Sequence, residues 1–312
     1  MDGVLLAMLL SSCFLGLYLI MEAADWGICL AAPQVARTDS ERRAMLTLLQ
    51  PGLDGNELWF FIGFYMLSCA LPDMSGTGMG TWYSVMLCLV GGGALLRLLA
   101  SFMRGFFSSP VCMKTLAVFS FVSLFLTGLL GTYILTDELF TAAGIFAGLW
   151  TVLACFQIGC LYGAVKVANP LGERLRAAFL VAGVLSALLY VVFAVALQMT
   201  LGDVWHTEGY FWMSLVATAV IFFASFFLTR NRYPAAGLMA AYAASFFAIA
   251  MYFSAYVIVI PVTHTVDLVA LKIGMDAIPS AVLLGIAAVW TTASFIWRLL
   301  RKKVLYTWED HI

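Results

Sequence analysis

Nine uncharged, apolar runs set the strongest limit on what this chain can fold into. They occupy residues 3–21, 58–72, 74–96, 115–136, 139–165, 177–202, 209–229, 233–263 and 277–297. A helix that crosses a bilayer needs about 20 consecutive apolar residues, and nearly every run reaches that length. The second run is short and is closed by Pro72 and Asp73. After the Gly-rich turn "PDMSGTGMG" the chain resumes as a separate third run. Only 11% of the 312 residues are charged, where a water-soluble domain carries about 25%. The chain therefore reads as an all-α integral membrane protein with nine spans. The first run lacks a basic flank and a small-residue cleavage site, so it reads as a retained span and not as a removable signal.

Loop charges test this count. Arg37, Arg42 and Arg43 lie between runs one and two, and Arg97, Arg104 and Lys114 between three and four. Lys166, Arg174 and Arg176 follow run five, Arg230 and Arg232 follow seven, and Arg298, Arg301, Lys302 and Lys303 follow nine. That places 15 of the 16 Lys and Arg on one side, with Lys272 alone on the other. Positive charge accumulates on the cytoplasmic side, so the expected topology has the N-terminus outside and the C-terminus in the cytoplasm.

The acids nearest the spans are the candidate functional groups. Glu22 and Asp25 are three residues apart, on one side of a helix, at the expected cytoplasmic end of span one. Asp54 and Glu57 stand at the entry to span two, so four carboxyl groups are expected to gather there. Asp54-x-x-Glu57 also has the spacing of a capping box, which gives these two a purely structural alternative. Glu22 and Asp25 have no capping role, because a helix C-terminal end disfavours negative charge; their bland alternative is simple exposure at the interface. Ionisable groups at membrane depth often relay protons.

Other residue types exclude more than they suggest. The three histidines, His206, His264 and His311, fall in loops or the tail, so no His is available inside a span to ligate a haem. The seven cysteines form no CxxC pair and read as buried, inert thiols. Gly91–Gly93 reads as a place where helices approach closely. Trp59, Trp82, Trp205, Trp212, Trp297 and Trp308 lie near span ends and fit an interfacial aromatic belt. No nucleic-acid partner is expected. A secondary transporter or channel with an acidic site at the membrane edge is the alternative class, with Gln157 and Gln198 as polar groups inside spans.

Several stretches are similar to one family. "LDGNELW" at 53–59 resembles the W-D-G-N-x-x-W motif of subunit II of cytochrome bd-type quinol oxidases. "EAADWG" at 22–27 resembles that subunit's D-G-x-D-x-G, and "DSERRAM" at 39–45 its Asn/Asp-x-Glu-Arg-Arg loop. "LFTAAGIFAGLWTVLACFQIGCLYGAVKVANPLGERLR" looks like the family's fifth helix and the basic loop after it, and "VIVIP" at 257–261 resembles the end of its eighth. Leu53 stands where the motif has Trp, Glu57 where it has Gln, and Glu22 where it has Asp.

The resemblance implies two four-helix bundles plus one further helix. The expected divisions are 1–136, 137–263, and 264–312 for the external loop, ninth helix and tail. It implies a haem-free chain in the bacterial or archaeal inner membrane, paired with a haem-bearing subunit I that carries haems b and d. Small single-helix accessory subunits can join, quinol is the substrate, and O2 is reduced to water. Glu22, Asp25, Asp54, Asn56 and Glu57 would contribute a proton path from the cytoplasm, and Trp59 would face the partner's haem region. A faint echo between "TDSERRAM" and "NPLGERLRAA", after spans one and five, fits the two-bundle expectation.

Overall fold

The computed structural model describes residues 3–49, 59–63, 78–136, 138, 140–202, 210–263, 288–294, 296 and 300. Every regular element among them is a helix: α1 (Gly3–Val35), α2 (Asp39–Leu48), α3 (Gly78–Phe102), α4 (Arg104–Phe107), α5 (Pro110–Thr136), α6 (Ala142–Lys166), α7 (Leu171–Leu201), α8 (Tyr210–Arg230) and α9 (Pro234–Thr263). Helices are what long apolar runs must form in a bilayer, because each backbone N–H and C=O then finds its partner within its own segment. Among the described residues four stretches are long and apolar enough to cross a membrane: Cys13–Val35, Pro110–Tyr133, Ala142–Lys166 and Leu171–Leu201. Cys88–Phe102, Leu215–Arg230 and Pro234–Ile249 are shorter apolar stretches.

The helices outrun the uncharged runs that announced them. α1 continues 14 residues past Met21 to Val35, and α3 continues to Phe102, beyond Arg97. α7 starts at Leu171, ahead of Arg174 and Arg176. Charged residues interrupt a hydropathy plot without interrupting a helix when they find partners of opposite sign. Two expectations change as a result. Glu22 and Asp25 do not sit at the end of span one; they precede Val35 by 13 and 10 residues, about 20 and 15 Å at 1.5 Å per residue. Arg97 is not a loop cation, being helical and 1% exposed.

α1 is the central element. It packs mainly on α6 and α5, α6 packs on α7, and α8 on α9. The α1–α6 crossing is set by two glycines. A Cβ on Gly27 would lie 1.9 Å from the Cys155 carbonyl oxygen, and one on Gly159 would lie 2.1 Å from the Gly27 carbonyl carbon. Only residues without side chains let two backbones meet this closely. Within Gly91–Gly93 only Gly93 has a comparable role, facing Ser123 and Trp26; Gly91 and Gly92 face open space. One continuous core holds Ala24, Ile28, Met45, Leu116, Ile158 and Phe179, drawn from α1, α2, α5, α6 and α7.

Among the described residues, large apolar side chains make up much of the outer faces of the helices. Leu188, Met199, Phe223 and Met239 are more than half exposed, as expected of faces turned to lipid and not to water. Among the cysteines described, Cys29, Cys155 and Cys160 are buried, whereas Cys13 and Cys88 are exposed on such faces. Trp59 departs from the aromatic-belt expectation. It is 7% exposed, its ring lies 5.2 Å from that of Phe14, and its Nε1 donates to Thr291 Oγ1 at 2.7 Å. The indole thus joins α1 to the helical residues 288–294.

Candidate functional site

The i, i+3 spacing of Glu22 and Asp25 puts both carboxylates on the face of α1 that meets α3. There Arg97 lies between them. Its Nη2 is 3.0 Å from Glu22 Oε2, and its Nη1 donates to Asp25 Oδ2 at 3.3 Å. None of the three side chains is more than 1% exposed. The neighbours are small and weakly polar. Cys29, one turn on from Asp25, shares a hydrogen bond with the Ser120 hydroxyl, which itself donates to the Leu116 carbonyl at 2.8 Å.

Taking three charged groups out of water costs several kcal/mol each, and only close opposite charges offset it. Counting these three side chains alone, there are two carboxylates for one guanidinium. A guanidinium stays charged at any accessible pH, so the cluster always keeps a cation between its two acids.

A second ionic contact lies where the C-terminal end of α1, α2 and the start of α7 meet. Thr38 caps α2, its Oγ1 accepting from the Glu41 N–H at 3.2 Å, while Glu41 Oε2 accepts from the Arg37 N–H at 2.7 Å and the Thr38 N–H at 3.3 Å. Thr38 and Glu41 thus form a capping box at the start of α2. Arg174 pairs with Glu41 and also donates to the Val35 carbonyl at 2.8 Å. Burial would push the Glu41 carboxyl up, but the Arg37 N–H, the Arg174 guanidinium and the Thr38 N–H outweigh it and hold it below its ordinary value. The two segments that echo each other in sequence are thus in direct contact.

Of the acids proposed from sequence, Glu22 and Asp25 are brought together. Asp54, Asn56 and Glu57 lie outside the described residues. Sequence reading missed Arg97 as the group that joins the pair. Its signal was present in "ALLRLLASF", where a single cation stands with apolar residues on both sides.

Apolar helices enclosing a buried carboxylate–guanidinium cluster define a polytopic α-helical membrane protein with an ionisable interior. The model of the family "Cytochrome bd terminal oxidase subunit II" matches residues 4–300, and the chain belongs to that family. Cytochrome bd ubiquinol oxidase subunit 2 of Bacillus subtilis (strain 168) is 24% identical over 186 residues, an alignment covering 52% of this chain and 53% of that relative. The match thus spans about half the length of that curated relative. The solved structure of bd oxidase from Geobacillus thermodenitrificans superposes with a TM-score of 0.66 at 13% identity, covering 96% of each chain. That likeness establishes a shared fold.

Proposed function

We propose that this chain is the haem-free subunit II of a quinol:O2 oxidoreductase. It supports a haem-bearing subunit I with haems b and d and supplies part of a cytoplasmic path for the protons consumed when O2 is reduced to water. The observation that carries the reading is the buried Glu22–Arg97–Asp25 cluster. Charged groups held this deep are a burden on folding, and ionisable groups at membrane depth often relay protons. In this reading Glu22 and Asp25 bind the proton in turn. Arg97 is a positioning residue: it holds the two carboxylates together and keeps a proton vacancy energetically accessible. Asp54, Asn56 and Glu57, at the entry to span two, would deliver protons to them from the cytoplasm. The role of Trp59 toward the partner's haem region would be exerted through its packing on Phe14 and Thr291, since little of the ring is exposed.

The accompanying architecture is nine spans in the bacterial or archaeal inner membrane, N-terminus outside and C-terminus in the cytoplasm. Residues 1–136 and 137–263 form two four-helix bundles, and 264–312 contain the external loop, ninth helix and tail. Small single-helix subunits and lipid complete the complex. The family membership and the one-sided tally of basic residues support this arrangement.

The test is quinol-driven oxygen consumption by the purified complex. Glu22→Gln and Asp54→Asn should each slow it at least about tenfold, as losing a positioned proton-transfer group does, with the haem absorption spectrum unchanged. Normal rates in both variants would remove the proton path from this subunit.

A further inference from the structure

The Asp-x-Glu-Arg-Arg stretch of α2 takes no part in the Glu22–Arg97–Asp25 cluster, yet it is anchored to three neighbours. Arg174, in the first turn of α7, pairs with Glu41 and donates to the Val35 carbonyl at 2.8 Å. Arg42 Nε donates at 2.9 Å to the carbonyl of Ser108, in the turn between α4 and α5. Arg42 Nη1 donates to the Arg37 carbonyl at 3.4 Å, and Asp39 pairs with the same guanidinium. A helix of ten residues is thus tied to the end of α1, to the α4–α5 turn and to α7.

Two kinds of contact hold α2. Met45, Leu46, Leu48 and Leu49 are buried in the main core. Apolar burial is non-directional, so it keeps the helix on the bundle without setting its angle. A guanidinium is a planar fork with fixed donor directions, and two of them set that angle. So short a helix is marginal by itself, and its placement comes from these contacts. α2 also ends where the entry segment starts. Leu49 is fully buried, and Asp54 follows it by five residues. Five extended residues span at most about 18 Å, so the position of α2 limits where Asp54 can reach.

We propose that Arg42 and Arg174 are positioning residues for proton entry: together they fix α2, and with it the start of the segment that carries Asp54. This role rests on the proton path proposed above. Neither arginine exchanges a proton, because a guanidinium stays charged. Both act on geometry, and misplacing a reacting group by an ångström can slow its step by orders of magnitude.

The test is quinol-driven oxygen consumption per haem by the purified complex, measured from about pH 6 to about pH 9. Proton delivery becomes limiting as protons grow scarce. Arg174→Gln and Arg42→Gln should therefore lose rate mainly on the alkaline side, at least about fivefold near pH 8.5, with the KM for quinol and the haem absorption spectrum unchanged. Should either fail to assemble, lysine at that position takes its place, keeping the charge but losing the fork. A merely structural role predicts less intact complex with wild-type turnover per haem and a wild-type pH profile. That result, or a loss equal at every pH, would overturn the proposal. Glu22→Gln and Asp54→Asn, measured alongside, separate this role from the path itself. If they slow turnover and the arginine variants do not, only the positioning role falls; if all four turn over normally, both fall.

Discussion

Arg97 changes how the acids of this chain are understood. By itself Glu22 or Asp25 would be an expensive group inside a membrane, and Arg97 alone equally so. Arg97 contacts both acids at once, so the order of damage on mutation can be stated. Arg97→Gln leaves two carboxylates facing each other, and should cost about 3–5 kcal/mol, the usual penalty for breaking a buried ion pair. Glu22→Gln leaves the Asp25–Arg97 pair intact, and should be clearly milder. Denaturant or thermal unfolding in detergent would compare the two, and a reversed order would show that the guanidinium is balanced elsewhere. Glu22 and Asp25 were legible as candidates because their spacing is local. Arg97 was not, being 72 residues from Asp25.

Helix ends and crossings decide where those residues sit. The sequence marks the apolar part of each span well, yet α1, α3 and α7 extend past it because paired charges are tolerated within a helix. The α1–α6 crossing depends on Gly27 and Gly159 meeting backbone to backbone. Gly27→Ala should therefore force the helices apart and destabilise the chain by about 1–3 kcal/mol or more, the usual cost of overpacking; retention of normal thermal stability would argue against the close crossing. At the start of α2, Thr38→Ala should cost about 0.5–2 kcal/mol through loss of the cap. Glu41 adds a pH dependence whose sign is set by its lowered value. A depressed carboxyl stabilises the fold above its unfolded value, roughly pH 4.3, and that contribution disappears as pH falls through the folded value. Unfolding measured from pH 7 down to 3 should show the wild type losing, below about pH 4.3, an advantage it holds over Glu41→Gln near neutrality. A constant difference across that range would exclude the linkage.

Among the described residues many large apolar side chains face outward while the Glu22–Arg97–Asp25 cluster is buried, the reverse of a soluble protein. If the proposed topology holds, a membrane-impermeant label should reach a cysteine placed at His311 only from the cytoplasmic side, and one placed at His206 only from outside. Labelling of both from one side would break the nine-span count. Hydrophobic runs and the membrane class were readable in the sequence, because transfer into lipid is close to a sum of local, per-residue costs. The pairing of Arg97 with Glu22 and Asp25, the contact of Arg174 with Glu41 across 133 residues, and that of Arg42 with the Ser108 carbonyl were not. Those depend on which helix faces meet, and charge pairing has an energy only once distant segments lie within a few ångströms of one another.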